Sequence, residues 1–287
     1  MAHPLLDEVV ELLDVEELEV NVFRGYSPQE DRPRVFGGQV AAQALMSAAR
    51  TVPAGRRVHS LHSYFLRPGD VKAPILYLVD RIRDGNSFTT RRVVAVQHGE
   101  VIFNIAASFH VPEPGLSHSL EMPPAPDPES LPTREERMAG FGRKLPRQAV
   151  EPRAIDMRWC DGPGWKPRKG EEARSMIWMR ADGELPDDAL LHTCVLVYAS
   201  DYTLTETVMR PHGIHWSDPG VMATSLDHSM WFHRDFKVDE WWLYVEDSPA
   251  AESARGLARG IIFDRKGALC CSVVQEILLR TSPPPIS

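Results

Sequence analysis

The sequence predicts an α+β fold of two similar units in tandem, each with one long helix followed by antiparallel strands. Two observations lead to this prediction: a helical pattern is followed by short β-rich segments with glycine-containing turns, and this order occurs twice along the chain. The 287 residues, 43% of them apolar, are enough for one large or two ordinary domains. We expect an N-terminal unit over residues 1–115, a proline-rich linker over 116–172 and a C-terminal unit over 173–287.

In the first unit, residues 1–20 carry apolar positions loosely at helical spacing and predict an acidic amphipathic helix. A second helix is predicted from Phe36 to Val52, where alanines and other apolar residues form a broad buried face. The pair Gly37 and Gly38 permits close backbone approach at the start of this helix. Four β-rich segments follow and predict an antiparallel meander: RVHSLHSYFLRPG, APILYLVDRIRDG, SFTTRRVVAVQHG and EVIFNIAASFHV.

The segment 116–172 is too rich in proline for a core element, so we expect a crossing linker with one short charged helix near Arg134 to Met138. The earlier pattern then returns. SMIWMRADG predicts a strand, and PDDALLHTCVLVYASDYTLTETVM predicts a helix that Asp187 or Asp188 can cap. Four more strands are predicted in VMATSLDHSMWFHR, EWWLYVEDSP, SARGLARGIIFDRKG and ALCCSVVQEILLR.

Local similarities support an internal duplication. HSLHSYF corresponds to TSLDHSMWF, LYLVDRIRDGNSF to LYVEDSPAAESA, and QHGEVIFNIAASF to RKGALCCSVVQEI. A duplicated unit of about 120 residues is the simplest explanation. Because a long central helix wrapped by an antiparallel sheet is the hot-dog unit, the sequence predicts a double hot-dog fold.

Composition and missing motifs exclude several classes of function. A net charge of -8 and a pI of about 5.8 argue against a nucleic-acid surface. No apolar run is long enough for a membrane span and the acidic start does not resemble a signal peptide, so we expect a cytoplasmic protein. Two cysteines are adjacent and two isolated, which predicts neither disulfides nor a zinc site. The His-x-x-His pairs at 59–62 and 212–215 lack further ligands, so we expect no metal.

The stretch ATSLDHSMWFHR places Ser225, Asp227 and His228 almost side by side. On one strand, Ser225 and Asp227 would share a face while His228 points to the other. A nucleophile must contact its base, so these three residues are not expected to form a catalytic relay by themselves.

Two polar residues stand in otherwise apolar rows. Asp201 falls on or beside the apolar stripe of the second long helix, whereas the first, Phe36 to Val52, contains no acidic residue. Gln275 lies on a strand face whose other members are apolar. A buried carboxylate is costly unless it is hydrogen-bonded or neutralised, which indicates a function. The alternatives are an aspartate that reaches water and an edge-strand glutamine bonded to backbone.

Several motifs together resemble the acyl-CoA thioesterase II (TesB-type) family: RVFGGQVAAQAL, HSLHSYFLRPG, SDYTL, SLDHSMWFHR, SARG and VVQE. The resemblance runs from about Phe23 to Arg280. It implies hydrolysis of fatty acyl-CoA to free acid and CoA without a cofactor, in a homo-oligomer, either a dimer or a tetramer. It also implies that Asp201, Ser225 and Gln275 bind the attacking water. Serine stands at position 225 where some members have threonine, which keeps the hydroxyl.

With these roles, water activated by Asp201 attacks the thioester directly, and no covalent acyl-enzyme is needed. Gln275 or a backbone N–H near a helix start would stabilise the oxyanion. Asp227 and His228 are then expected to organise the strand, a subunit contact or the pocket edge.

Four further residues are candidates for substrate binding, each with a structural alternative. Gln39 and His62 are the most suggestive polar residues of the first unit. Arg255 and Arg259 could meet CoA phosphates or simply be solvated.

Two other functions are compatible with the predicted fold. An enoyl-CoA hydratase would be expected to carry a D-x-N-P-x-H-like motif, which the sequence lacks. A non-enzymatic acyl-CoA-binding or sensing protein would be expected to have lost the polar triad. Fold and ligand class alone do not establish turnover.

Overall fold

The computed structural model describes residues 4–28, 33–140, 151–161 and 169–281. In these ranges the α-helices are α1 (Pro4–Leu13), α2 (Gly37–Ala49), α3 (Arg134–Ala139), α4 (Ala189–Ser200) and α5 (Leu204–Met209). The strands are β1 (Glu16–Glu19), β2 (Val22–Gly25), β3 (Arg57–Phe65), β4 (Ile75–Asp84), β5 (Phe88–Gln97), β6 (Glu100–His110), β7 (Ile155–Trp159), β8 (Arg174–Ala181), β9 (Met222–Ser225), β10 (Asp227–Phe232), β11 (Trp242–Glu252), β12 (Arg255–Asp264) and β13 (Leu269–Arg280).

The strands form one antiparallel sheet in which the same order occurs twice. Read outwards from the centre, the first half is β3-β6-β5-β4-β2-β1 and the second is β10-β13-β12-β11-β8-β7. The halves join where β3 pairs with β10, and β9 adds to β13 outside this path. In each half a pair of antiparallel strands precedes the central helix. Four strands follow the helix in the first half, and the same four, with β9 added, follow it in the second. This repeated order confirms the predicted double hot-dog fold.

Helices α2 and α4 pack against each other in the core. Every residue of α2 from Gly38 to Ala48 is buried. Alanine makes this possible because it is small and favours the helix, so neighbouring elements can enclose the helix on all sides. A Cβ atom on Gly38 would lie 2.3 Å from the carbonyl oxygen of Tyr198 in α4. The close approach predicted for the glycine pair is therefore confirmed.

The first predicted helix is shorter than expected. Helix α1 ends at Leu13, and Glu16–Glu19 forms strand β1, which pairs with β2. Three of the four residues of β1 are glutamates and all four are exposed, so a continued helix would have only Leu18 to bury. Arg24 of β2 donates to Glu16 instead, at 2.6 Å. The prediction of a helix over residues 1–20 is wrong beyond Leu13.

The predicted helix in the second half is two helices. Asp188 caps α4 by accepting the N–H groups of Leu190 and Leu191, at 2.9 and 3.3 Å, as one of the two predicted caps. The helix then ends at Ser200, and α5 starts at Leu204. Thr203, in the turn between them, donates its hydroxyl to Glu246 of β11, which ties the start of α5 to the sheet. The single helix of the prediction is wrong at this turn.

The strand predicted in VMATSLDHSMWFHR is also interrupted. Met222–Ser225 forms β9 and Asp227–Phe232 forms β10, with Leu226 between them. The backbone N–H of Leu226 donates to the carbonyl oxygen of Glu276 at 2.8 Å, and the carbonyl oxygen of Leu226 accepts the backbone N–H of Phe65 at 2.9 Å. Ser225 and Asp227 therefore lie on different strands, and the expectation that their side chains share one strand face no longer follows.

Part of the predicted linker belongs to the sheet. Ile155–Trp159 forms β7, which pairs with β8 from Ile155 opposite Ala181 to Trp159 opposite Ile177. The alternating burial of β7 buries three apolar side chains, which a linker would leave in water. The short helix predicted near Arg134 is present as α3. Residues 141–150 and 162–168 of this segment lie outside the described residues.

Candidate active site

Asp201 lies where α4 ends and faces the start of α2. It is the C-terminal cap residue of α4, with φ -84° and ψ 1°. The backbone N–H of Gly38 donates to its carboxylate, and a Cβ atom on Gly37 would lie 2.6 Å from Oδ2. Phe36, the N-cap residue of α2, makes no side-chain capping bond. Asp201 therefore satisfies an N-terminal donor of α2 that a capping side chain usually takes.

Ser225 and Gln275 extend this group. Ser225 Oγ donates to Asp201 Oδ1 at 3.2 Å, and Gln275 Nε2 donates to Ser225 Oγ at 2.8 Å. The pairing of β9 with β13 places Ser225 opposite Ile277, two residues from Gln275. Gln275 itself is fully buried. The structure thus brings the three residues that the sequence singled out into one hydrogen-bonded group.

The surroundings of Asp201 favour the protonated form of its carboxyl group. Burial raises the pKa of Asp201 above its ordinary value, because a poorly hydrated site disfavours the charged form. His228 and hydrogen bonds from Gln275, Ser225 and the Gly38 N–H offset part of this rise in pKa. A carboxylate with a raised pKa is a stronger base than an exposed aspartate, so it is suited to accept a proton from water.

Asp201 and Ser225 line a cavity of about 770 Å³ between the two halves. The first half contributes apolar side chains to its wall, among them Phe36, Val40 and Phe65. Cationic side chains also line the cavity: Arg34, Arg67, Arg134 and Arg153. The space therefore combines an apolar wall with positive charge, as an amphiphilic anion requires. The carboxylate and hydroxyl lie on its surface, with Gln275 buried behind them.

Gln39 and His62 do not line this cavity. The buried Gln39 amide donates to the backbone carbonyl oxygen of Tyr26 at 3.0 Å and to Ser27 Oγ at 3.1 Å. His62 is exposed on β3, with Nδ1 3.2 Å from Ser229 Oγ. The geometry favours the structural alternative for both residues, so their prediction as substrate ligands gains no support.

Arg255 and Arg259 are exposed and also lie outside the cavity wall. Arg255 Nε is 3.0 Å from Glu276 Oε1. Arg259 makes two hydrogen bonds to Asp247, at 2.8 and 2.7 Å. Each arginine is thus paired with a carboxylate, and its contact with CoA phosphates stays a prediction.

Asp227 and His228 have different surroundings. Asp227 Oδ1 accepts the Glu276 N–H at 2.6 Å, which organises the strand as predicted. His228 is 1% exposed, so it does not lie at a pocket edge or an exposed subunit surface. Its Nδ1 contacts Gln275 Oε1, and its Nε2 is 2.9 Å from Ser200 Oγ. Among the described residues no hydrogen bond joins it to Ser225 directly, and the two residues are linked through Gln275.

Sequence reasoning missed two contributions to the site. The Gly38 N–H was not assigned to Asp201, although a glycine pair before a helix without a capping side chain pointed to an outside acceptor. The link from His228 to Gln275 was missed because β10 and β13 are distant in sequence and their register was unknown.

Three further observations on the described residues concern metal binding, the cysteine thiols and membrane-spanning helices. Across the described ranges, no group of three or more His, Cys, Asp or Glu side chains is placed to hold a metal ion. The four cysteines are free, and burial raises the pKa of Cys160 and of Cys270 to about 11. These two thiols therefore stay protonated near neutral pH. No helix in the described part of the chain could span a membrane.

The molecule is a double hot-dog protein with a carboxylate, a hydroxyl and an amide grouped at the boundary of its halves. A hot-dog protein from Alicyclobacillus acidocaldarius superimposes with a TM-score of 0.78, with 100% of both chains covered and 20% identity, which shows the fold alone.

Comparison with known sequences identifies the family. The acyl-CoA thioesterase model matches residues 152–278, and that of the acyl-CoA thioesterase N-terminal domain matches 27–110. Human acyl-coenzyme A thioesterase 8 is 38% identical, over 96% of this chain and 89% of that protein. Acyl-CoA thioesterase 2 of Haemophilus influenzae is 36% identical, over 97% and 99%. The crystal structure of an acyl-CoA thioesterase II from Mycobacterium marinum has a TM-score of 0.79 at 44% identity, covering 95% of this chain and 98% of that one. This chain belongs to the acyl-CoA thioesterase II (TesB-type) family.

Proposed function

We propose that this protein hydrolyses fatty acyl-CoA to free fatty acid and CoA through a water molecule activated by Asp201. The observation that carries the proposal is the hydrogen-bonded group of Asp201, Ser225 and Gln275 on the wall of a cavity with apolar and cationic sides. Family membership supports the same reaction, since relatives at 36–39% identity over nearly the whole chain are named acyl-CoA thioesterases.

The chemical step follows from the chemistry of a thioester. Asp201 takes a proton from water, and the resulting hydroxide adds to the thioester carbonyl carbon. When the tetrahedral intermediate collapses, the carbon–sulfur bond breaks and the CoA thiolate takes the proton from Asp201. Ser225 holds the water, while the N-terminal turn of α2 offers backbone donors and a positive dipole end near the developing oxyanion. No covalent acyl-enzyme is required.

The cavity wall supports an acyl-CoA substrate. Aromatic and aliphatic side chains suit an acyl chain. Arg34, Arg67, Arg134 and Arg153 line the same cavity and suit the phosphates of CoA, whereas Arg255 and Arg259 lie outside it. The alternatives are less well supported. A dehydratase domain from Pseudomonas fluorescens shares only the fold, with 10% identity and a TM-score of 0.51. A sensor without turnover leaves the polar group at Asp201 unexplained.

Three further proposals concern the molecule as a whole. We propose a division at residues 1–115, 116–172 and 173–287, in which β7 of the middle segment pairs with β8 of the second half. A homo-oligomer, dimer or tetramer, is supported by exposed apolar side chains near one sheet end: Leu18, Val20, Leu76, Leu78 and Ile82. A cytoplasmic location is supported by four free cysteines. Light scattering after size exclusion tests the oligomer, because a monomer at micromolar concentration would contradict it.

The function is tested by thiol release from a chain-length series of acyl-CoAs. Asp201→Asn removes the base but keeps an oxygen that can accept the Gly38 N–H, so the variant is expected to fold. We expect wild type to turn over and Asp201→Asn to lose at least about a hundredfold in kcat. Asp80→Asn removes a carboxylate that pairs with Arg92 on an exposed strand face, and it should retain full activity. Binding of acyl-CoA by wild type without thiol release would replace hydrolysis with a binding function.

A further inference from the structure

His228 lies behind the proposed catalytic group and contacts it through Gln275. Its ring is buried, with Nδ1 against Gln275 Oε1 and Nε2 2.9 Å from Ser200 Oγ. Burial lowers the pKa of His228, which favours the neutral ring. A neutral imidazole carries a single N–H, so the nitrogen that holds the proton determines which neighbour accepts and which donates.

The carboxylate of Asp201 fixes the direction of the hydrogen bonds. An ionised carboxylate only accepts, so the groups that face it must donate. Ser225 Oγ donates to Asp201, and the Gln275 amide nitrogen donates to both Ser225 and Asp201. The amide oxygen of Gln275 therefore points the other way, to His228. An amide oxygen needs a donor there, which assigns the proton of His228 to Nδ1. The Ser200 hydroxyl, 3.0 Å from the Val197 carbonyl oxygen and 2.9 Å from His228 Nε2, then gives its single proton to Nε2.

We infer that His228 is a positioning residue for the hydrolysis: its Nδ1–H holds the Gln275 amide in the one orientation that sends the Ser225 hydroxyl proton to Asp201. The inference rests on the proposed function. An amide turned by 180° has nearly the same shape, so packing alone does not select between the two orientations. In the turned orientation the amide oxygen would face Asp201, and Ser225 would donate to Gln275. The carboxylate would then lose two donors, and the water would lose its fixed partners.

The first half of the protein shows that the fold does not require this pair. In the duplicated strands QHGEVIFNIAASF and RKGALCCSVVQEI, Ala107 occupies the position of Gln275. Ala107 lies opposite Leu61 of β3, and both side chains are buried. An aliphatic pair thus fills the equivalent site of the other half. A buried histidine and amide cost desolvation in comparison with such a pair, so their presence beside Asp201 indicates a role in the reaction.

The experiment compares two substitutions of His228. We expect one variant to be the more stable of the two and the other to be the more active. His228→Leu supplies the side chain that the first half uses at this place, but no donor. His228→Asn places its Nδ2–H where the ring Nδ1–H was, but leaves a gap near Ser200. We expect His228→Leu to lose about a hundredfold in kcat with KM nearly unchanged, because the water-binding group is misplaced. His228→Asn should retain kcat to within about tenfold of wild type while unfolding at a lower temperature than His228→Leu.

The control is His192→Leu, which removes another buried histidine of the second half, one whose Nδ1 accepts the Val238 N–H. It should lower the unfolding temperature and leave kcat unchanged. Activity that follows the unfolding temperature across the three variants, or full kcat in His228→Leu, would overturn the inference. Nitrogen-15 NMR of labelled histidine gives a test that does not depend on turnover: protonation at Nδ1 of His228 supports the inference, and protonation at Nε2 overturns it. A wild-type protein without thiol release would refute the proposed function, and the NMR result would still decide the His228 tautomer.

Discussion

Gly37 and Asp201 touch across the boundary between the two halves, where Gly37 begins α2 and Asp201 is the C-terminal cap residue of α4. A Cβ atom on Gly37 would lie 2.6 Å from Asp201 Oδ2 and 3.0 Å from the Phe65 ring. The carboxylate from one half is therefore held against the first helical turn of the other half. The duplicated fold thus has a functional consequence, because neither half contains the complete site.

Gly37→Ala is expected to impair catalysis more than folding. The added methyl group collides with the end of the Asp201 side chain, which can rotate away at little cost in stability but then leaves its place in the hydrogen-bonded group. Since small displacements of a catalytic group are costly, we expect kcat to fall about tenfold to a hundredfold. Steady-state thiol release together with a thermal unfolding curve measures both effects.

Gly115→Ala is the matched control, because a Cβ atom at Gly115 meets nothing within 4 Å. This variant should behave as wild type. Gly37→Ala with unchanged kcat would show that the carboxylate position does not limit the reaction.

Ser225 is expected to act through its hydroxyl and not as a nucleophile. It donates to Asp201 and accepts from Gln275, and it has no hydrogen bond to a histidine among the described residues. Ser225→Thr keeps the hydroxyl and should retain most of the activity, whereas Ser225→Ala should lose roughly tenfold to a hundredfold in kcat. Mass spectrometry of the enzyme quenched during turnover should show no acyl adduct. An adduct that disappears in Ser225→Ala would mean covalent catalysis instead.

The sequence predicted the fold because the duplication is visible in it. Alanine-rich α2 and the β-rich segments with their glycine turns carry strong local patterns, and both halves repeat them. Element ends were predicted less well. The break at Asp201 was missed because the apolar pattern continues from α4 into α5, while the side chain that ties α5 down, Glu246, is far away in sequence.

The sequence predicted which residues form the site but not which other residues they contact. Asp201 and Gln275 stood out as polar residues in apolar rows, and the family resemblance added Ser225. The contacts to Gly38 and His228 depend on the packing of α2 beside α4 and on the register of β10 and β13. Both are properties of tertiary structure that residue patterns do not encode locally.

The pH dependence of hydrolysis should report Asp201. The base must be ionised, so kcat/KM should rise with pH through the Asp201 pKa, which burial places above its ordinary value of 3.8. A pH profile of kcat/KM measures the midpoint of this acid limb. A midpoint at or below 3.8 would contradict a desolvated carboxylate as the base.

The same carboxylate should influence stability. A folded-state pKa above the unfolded value gives a contribution that is complete below the unfolded pKa and lost as the pH rises through the folded pKa. Asp201→Asn should therefore unfold at a higher temperature than wild type at neutral pH, and at a similar temperature in acid. Thermal unfolding at several pH values checks this, and a variant that is less stable at neutral pH would mean that hydrogen bonds to the carboxylate outweigh its burial.

Glu246 gives the clearest expectation for stability against pH. It is fully buried on β11, and burial raises its pKa from 4.5 to about 7, although the hydroxyls of Thr203 and Thr207 donate to it. The nearby Glu206 raises this pKa further and Arg210 lowers it. The contribution of Glu246 is thus complete below about pH 4.5 and lost as the pH rises through about 7. At roughly 1.4 kcal/mol per pH unit, the loss amounts to about 3 kcal/mol at most.

Glu246→Gln removes this titration and keeps one oxygen that accepts from a threonine hydroxyl. Because glutamine resembles the protonated acid, the variant and wild type should have similar free energies of unfolding near pH 5, and the variant should become the more stable one as the pH approaches about 8. Urea unfolding at intervals of one pH unit measures the difference, and Glu240→Gln, at an exposed glutamate, controls for the loss of charge. A difference between variant and wild type that stays constant with pH would show that Glu246 does not titrate in the folded protein over this range. In that event the hydrogen bonds from Thr203 and Thr207 would be strong enough to keep the buried carboxylate ionised, and Glu246 would be a charged anchor of α5.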